Sequence, residues 1–252
     1  MHPPKEWVDR FPREWDEAPY RGERSYLPHP RPRAAYAAMI AHLDDQVGQV
    51  LKKLDQLGLT NNTLVVFSSD NGATHPTGKG FVGGADPAFF NSTANLRGHK
   101  GSVHEGGIRV PTMVRMPGKI KAGSSSDSPG YFPDWFPTVC EAAGIATPVG
   151  LDGQSLWPEL TGIPKGQSRK PMVYVFPEYG GQVAVCLGRH KLVRTGLKTK
   201  KPGEWELYDI EHDPGEKENL AEREPKILAA AKAILEREIS ENKVFPLALP
   251  KD

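Results

Sequence analysis

From Arg33 onward, apolar side chains recur by threes and fours: Tyr36, Met39, Ile40, Leu43, Val47, Val50, Leu51, Leu54 and Leu57, ending at Gly58. That period predicts a long amphipathic helix stopped by the glycine. The pattern then changes to Thr63-Leu64-Val65-Val66-Phe67, whose continuous β-branched hydrophobicity predicts a central strand buried on both faces. The strand runs into Ser68-Ser69-Asp70-Asn71-Gly72, so polar side chains stand at its C-terminal end, where open α/β sheets carry their sites. Residues 1 to 33, rich in Pro, Arg, Trp and Glu without sustained period, read as an irregular segment wrapped on something else.

Residues 72 to 108 hold many Gly, Asn, Thr and His and predict a long loop region, which in a compact domain is usually functional or disordered. Val110 to Met116 reads as a strand with Pro111 at its start or on an edge. After the Gly/Ser stretch from Gly118 to Ser128, Asp134 to Gly144 predicts a capped helix closed by its glycine. Thr161 to Lys170 reads as a linker. Beyond it, Met172–Phe176, Val183–Leu187, His190–Arg194 and Trp205–Ile210 are short strand-like runs, with a tight hairpin at Leu187-Gly188-Arg189-His190. A last helix from Pro225 to about Ile239 turns Ile227, Leu228, Ala231, Ile234, Leu235 and Ile239 to one side, suited to cover that antiparallel sheet. The fold class is α/β, with an α/β core over 1–165 and a small antiparallel sheet-plus-helix subdomain over 166–252.

Composition narrows the partners. At 252 residues the chain is long enough for a substantial core, and Gly (26) with Pro (24) make up about a fifth of it, so many loops are expected. Lys plus Arg (32) balance Asp plus Glu (31), which argues against nucleic acid or an acidic membrane surface as partner. No run approaches the ~18 apolar residues of a membrane span, and Met1-His2-Pro3-Pro4-Lys5-Glu6-Trp7 lacks the apolar stretch of a secretory signal; the chain reads as soluble. Cys140 and Cys186 are too few for a disulfide framework or a multi-Cys zinc site, and their positions suit inert core thiols.

Two stretches carry candidate chemistry. In Asp70-Asn71-Gly72, a carboxylate and an amide carbonyl at a strand end can both face one hard cation if Gly72 permits a sharp turn; the same residues also make an ordinary turn. In Leu96-Arg97-Gly98-His99-Lys100-Gly101-Ser102-Val103-His104-Glu105-Gly106-Gly107-Ile108-Arg109, cationic donors stand among glycines, where they can approach a sulfate or phosphate oxyanion, or form a solvated basic loop. The spacing fits no nucleotide loop. The histidines at 2, 29, 42, 75, 99, 104, 190 and 212 show no zinc spacing, and no G-x-S-x-G elbow occurs.

In order and spacing these stretches resemble the sulfatase family, sulfuric ester hydrolases of the alkaline-phosphatase-like α/β superfamily. The resemblance runs from Leu43-Asp44-Asp45-Gln46-Val47-Gly48 through Ser68-Ser69-Asp70-Asn71-Gly72, Lys100 and Glu105-Gly106-Gly107-Ile108-Arg109-Val110-Pro111. It continues through Asp152-Gly153-Gln154-Ser155-Leu156 and Glu206-Leu207-Tyr208-Asp209-Ile210 to Asp213-Pro214-Gly215-Glu216-Lys217-Glu218-Asn219-Leu220. It implies that Asp70 and Asn71 are two of the family's calcium ligands and Lys100 its sulfate-binding lysine, with a sulfated small molecule or sulfated carbohydrate as ligand. It also implies a formylglycine nucleophile, made in the family from a C-x-P-S-R motif that this chain lacks, along with the family's N-terminal Asp pair. The expectation is therefore the later half of a sulfatase, inactive alone, with an incomplete calcium site and the N-terminal half as partner. The segment His2-Pro3-Pro4-Lys5-Glu6-Trp7-Val8-Asp9-Arg10-Phe11 resembles the one just after the family's His-x-Pro active-site histidine, and family members are commonly exported. Two rivals share these residues: a phosphodiesterase or phosphonate hydrolase of the same superfamily, and a non-catalytic sulfated-glycan-binding protein.

Overall fold

The computed structural model describes residues 2–23, 26–74, 85–163, 168–240 and 242–249. Parts of the expected loop over 72–108, His75 among them, and of the expected linker over 161–170 lie outside the described residues. The chain forms two compact units, one from Met1–Thr63 and Gly72–Asn95, the other from Leu64–Asn71 and Leu96–Asp252. Among the described residues no helix is long and apolar enough to cross a membrane.

In the first unit, α1 (Lys5–Val8) packs Val8 against Ala34 and Ala38 of α2 (Pro32–Gln56), with Trp7 and Phe11 alongside. Pro32 occupies the first helical position, and the next free N–H groups are satisfied from a distance: Asp16 Oδ1 accepts from Arg33 N at 2.7 Å and Ala34 N at 3.4 Å. Arg31 donates to the carbonyls of Phe11 (2.8 Å) and Pro12 (2.9 Å), and Arg33 to that of Trp15 (2.7 Å) and to Asp86 Oδ2 (3.0 Å). The Pro- and Arg-rich start is thus wound around the beginning of α2. The helix stops as its period predicts, with Gly58 left-handed at φ 67°.

The apolar stripe of α2 departs from its amphipathic expectation. Met39, Ile40, Leu43, Val50 and Leu57 are exposed, and the buried positions are Pro32, Ala34, Ala35 and Ala38. The reason is local: among the described residues, α1, the short turns Arg13–Trp15 and Thr60–Asn62, and the Asp86-to-Phe90 segment meet α2 toward its two ends.

In the second unit, β1 (Val65–Ser68) pairs antiparallel with β2 (Thr112–Arg115), from Val65 opposite Arg115 to Ser68 opposite Thr112. The expected central strand buried on both faces is corrected here: among the described residues the sheet has two strands, and Val66 and Met113 are exposed. Continuous hydrophobicity records what a strand can bury, not what lies against it. α3 (Glu105–Ile108) precedes β2; α4 (Trp135–Ala142) and α5 (Trp157–Thr161) follow it. Asp134, expected to cap α4, makes no such bond. Fully buried, it accepts instead from Tyr131 N (2.9 Å), Gln154 N (2.8 Å) and the Arg169 guanidinium (2.7 Å), tying the Asp152-to-Leu156 segment to the helix start.

The strands β3 (Met172–Phe176), β4 (Gln182–Leu187), β5 (His190–Thr195) and β6 (Glu206–Asp209) form an antiparallel meander in that order. Gly188, at φ 60°, is the first of two loop residues joining β4 to β5, the position a type II′ hairpin reserves for glycine. One sheet face sets Val183, Val185, Leu192 and Leu207 against Ala231, Ile234 and Leu235 of α6 (Pro225–Glu238). Each such fully buried aliphatic side chain contributes about 1.5–3 kcal/mol. The opposite face carries Ala184 and Val193 against Val103, and with them the polar side chains of Gln182, Lys191, Glu206 and Tyr208. That polar face receives the Arg97-to-Glu105 loop.

Candidate functional site

Lys100 stands in a loop whose backbone is fixed at both ends. On one side the Arg97 guanidinium donates to Glu206 Oε2 at 2.7 Å and to the Tyr208 hydroxyl at 2.5 Å. On the other, the Gln182 amide donates to Gly101 O at 2.8 Å while its carbonyl accepts from Val103 N at 3.3 Å. Gly98 and Gly101, at φ 80° and 85°, supply the two left-handed corners around Lys100. The loop then lies directly on α3: a Cβ on Gly106 would come within 2.4 Å of Gly98 O, and one on Gly107 within 2.1 Å of Ser102 O. No residue with a side chain fits there, so Gly106-Gly107 is a packing requirement of the Lys100 loop. The Lys100 ammonium is exposed and, among the described residues, has no ion-pair or hydrogen-bond partner.

Beneath the loop lies a buried ionic cluster. The Lys191 ammonium, fully buried, is 2.7 Å from Glu105 Oε1 and 3.1 Å from Glu216 Oε1. Arg109 Nε donates to Glu105 Oε2 at 2.6 Å, the Glu105 backbone N–H donates to Glu216 Oε2 at 2.8 Å, and His104 Nδ1 lies 3.2 Å from that same oxygen. Burial alone would raise the Glu216 carboxyl; the His104 imidazole, the Lys191 charge and the Glu105 N–H outweigh it and hold the group below the usual carboxylate range. Glu206 is treated likewise: burial opposes ionisation, but the Tyr208 hydroxyl and Arg97 guanidinium keep it low, while burial and the Glu206 charge push Tyr208 up.

Glu216 reaches the cluster because the Asp213-to-Leu220 segment is a structured turn. Asp213 Oδ2 accepts from Lys217 N (2.7 Å) and Glu218 N (2.9 Å), Asn219 Oδ1 accepts from Leu207 N (2.9 Å), and Glu216 itself sits at φ 51°. Sequence reasoning overlooked Lys191, Glu105 and Glu216 as a group. One signal was present: Lys191 is a charge set directly before Leu192-Val193 in a short strand-like run.

Asp70 and Asn71 lie in the bend after β1. Ser68 Oγ is 3.0 Å from Thr112 Oγ1, and Ser69 Oγ donates to Asn71 O at 2.8 Å. The Ser69 hydroxyl thus closes the bend from within, with Gly72 following directly. The Asp70 carboxylate is exposed and has no partner among the described residues. Its chemistry and that of the Asn71 carbonyl suit a hard cation, but calcium takes about six to eight oxygens, so most of the shell would come from elsewhere. Among the described residues no group of three or more His, Cys, Asp or Glu side chains gathers to hold a metal ion. Cys140 and Cys186 are both buried, and burial pushes the Cys186 thiol up to about 12.

Comparison with known proteins finds the sulfatase family profile over residues 1–145 and that of the N-sulphoglucosamine sulphohydrolase C-terminal region over residues 99–243. An uncharacterised sulfatase of Schizosaccharomyces pombe is 34% identical over 240 residues, covering 79% of this chain and 41% of the relative. A crystal structure of Ps i-CgsB in complex with k-i-k-neocarrahexaose is 25% identical with a TM-score of 0.74, covering 94% of this chain and 46% of that one. A structure in complex with its substrate D-glucosamine-2-N,6-O-disulfate is 27% identical with a TM-score of 0.62, covering 81% of this chain and 39% of that one. The chain spans less than half the length of each of these relatives.

Proposed function

The chain belongs to the sulfatase family, with that family's alkaline-phosphatase-like α/β fold, and from that premise we propose that it carries the later part of a sulfuric ester hydrolase site. In this reading Lys100 binds a sulfate oxygen, Asp70 and Asn71 give two oxygens to a calcium ion, and the ligand is a sulfated carbohydrate. The observation that carries it is the Lys100 loop: a free ammonium at the tip of a backbone clamped by Arg97, Gln182 and the two glycines of α3. Cleavage of a sulfate ester shifts negative charge onto the oxygens around sulfur. A compact cation held in place beforehand stabilises that charge without reorganising during the reaction. A bound calcium ion would add Lewis-acid polarisation of the same oxygens.

The chain contains no C-x-P-S-R sequence, so in this reading the attacking group comes from outside it and the chain alone binds but does not turn over. The exposed apolar residues support a covering segment of the same enzyme, the N-terminal half: Ile40, Leu43 and Val50 on α2, Val66 and Met113 on β1 and β2, and Phe136 and Val139 on α4. The division into a core part over 1–165 and a subdomain over 166–252 belongs to the same proposal. The test is hydrolysis of 4-methylumbelliferyl sulfate in the presence of calcium. The chain alone should give none. Coexpressed with a sulfatase N-terminal segment bearing C-x-P-S-R, it should give calcium-dependent turnover that Lys100→Ala abolishes. Turnover by the chain alone, or activity indifferent to Lys100→Ala, would refute the reading.

A further inference from the structure

Beside the Lys100 loop lies a surface that none of the roles above uses. Tyr179, in the turn between β3 and β4, has φ 49°, a left-handed conformation that an aromatic residue keeps only under constraint, and such strain gathers where function requires it. Gly180 and Gly181 follow at 88° and 78°. In the constrained turn Tyr179 is 62% exposed, its ring stacked on Phe176 with centroids 5.8 Å apart and interplanar angle 23°. The ring also lies on Gly101, the residue after Lys100, where an added Cβ would sit 3.1 Å from it.

The same turn is joined to the loop between β5 and β6. Lys198 N donates to Gly180 O at 2.8 Å and Leu197 N to Gly181 O at 3.0 Å. That loop carries Lys198, Lys200 and Lys201, all exposed, and among the described residues none of the three ammonium groups has an ion-pair partner. The Thr199 hydroxyl, 2.7 Å from Gly196 O and 2.9 Å from Lys201 O, ties together the backbone that carries these three charges. Uncompensated like charges repel one another and are relieved by an anion with several charges. An exposed aromatic face beside them suits the apolar face of a sugar ring.

We propose that Tyr179, Lys198, Lys200 and Lys201 form a platform adjoining Lys100 that binds the sulfated sugars flanking the one whose sulfate Lys100 holds. The ligand is then a polysulfated oligosaccharide rather than an isolated sulfate monoester. This rests on the reading of Lys100 given above, but every residue of the platform belongs to this chain, so the chain can be tested as it is.

The experiment is calorimetric titration of the chain at moderate salt with three probes: a heparin-derived tetrasaccharide, glucosamine 6-sulfate and a short oligothymidylate. The tetrasaccharide should bind at least about tenfold more tightly than the monosaccharide. Tyr179→Ala and a combined Lys198→Ala, Lys200→Ala, Lys201→Ala variant should each remove most of that advantage while leaving the monosaccharide affinity unchanged; Tyr179→Phe should retain it. These side chains are exposed, and matching circular dichroism melts would confirm that the variants fold. Equal affinity for tetrasaccharide and monosaccharide, insensitivity to both variants, or equal binding of the oligothymidylate would overturn the platform. Loss of monosaccharide binding in Lys100→Ala is a separate outcome: its absence would refute the role of Lys100 while the platform's own variants still decide the platform.

Discussion

Replacing Lys191 by Met keeps the length and much of the volume of the side chain and removes one buried charge. In the wild type that charge lies 2.7 Å from Glu105 Oε1 and 3.1 Å from Glu216 Oε1, with both carboxylates buried. Without it, Glu105 keeps the half-exposed Arg109 and Glu216 keeps His104 and one backbone N–H, so two buried carboxylates lose the cation they share. Removing one partner of a buried ionic group costs about 3–5 kcal/mol, because the remaining charge is left uncompensated. With a urea m-value of about 2 kcal/mol/M, the midpoint at neutral pH should fall by roughly 1.5–2.5 M. The pH dependence fixes the sign. In the wild type Glu216 has a lowered carboxyl pKa, so its contribution is present above the unfolded value and is lost as pH falls through the folded one. In Lys191→Met acid should instead relieve the repulsion, and the gap between variant and wild type should narrow as the pH is lowered toward 4. Adding Glu105→Gln and Glu216→Gln to Lys191→Met should recover most of the loss. A midpoint change under about 0.5 M, or a gap independent of pH, would refute the argument that this cluster stabilises the second unit by charge pairing.

Gly107→Ala should lower stability by at least about 2 kcal/mol and disorder the Lys100 loop, since its Cβ would fall 2.1 Å from Ser102 O; urea melts and amide exchange over Gly98 to Val103 check this. Gly48→Ala is the contrasting case. Nothing lies within 4 Å of its Cβ and φ is ordinary, so helix propensity should raise stability by about 0.5–1 kcal/mol in the same melts. Asp134→Ala should cost about 3 kcal/mol, because it leaves Tyr131 N, Gln154 N and Arg169 unpaired in a fully buried site; a loss under about 1 kcal/mol would contradict that reading. The Cys186 thiol, pushed up to about 12 by burial, should resist iodoacetamide at pH 8 in the folded chain and react once urea unfolds it; mass spectrometry of the peptide reads the difference.

Where information was local, the sequence could be read. The threes-and-fours spacing and Gly58 placed α2 to within a residue or two, and the short β-branched runs after Met172 placed all four strands of the meander. The hairpin at Gly188 followed from one glycine. The helix after Pro225 covers the sheet as its apolar side suggested, but other expectations failed where neighbours decide burial. The stripe of α2 and the run at Val65 to Phe67 advertise faces that can be buried, and periodicity carries no record of what buries them, so Ile40 and Val66 came out exposed. Asp134 has the chemistry of a cap and uses it one turn early, on Tyr131 N, while Arg169 and Gln154, distant in sequence, take the rest of its carboxylate. Of the candidate site, Lys100, Asp70 and Asn71 were singled out through the order of motifs around them, and their roles stand as proposals. The cluster of Glu105, Lys191 and Glu216 was not, since its members lie 86 and 111 residues apart along the chain and meet only through the sheet.

The central claim is that Lys100 is an anion-binding residue held ready by its loop. Its most direct test is a sulfate titration followed by amide nitrogen–proton NMR spectra of the chain. The account predicts saturable shifts confined to the amides from Arg97 to Val103, which vanish in Lys100→Ala while the rest of the spectrum is preserved. Shifts scattered over other lysines, or an unchanged response in Lys100→Ala, would contradict it.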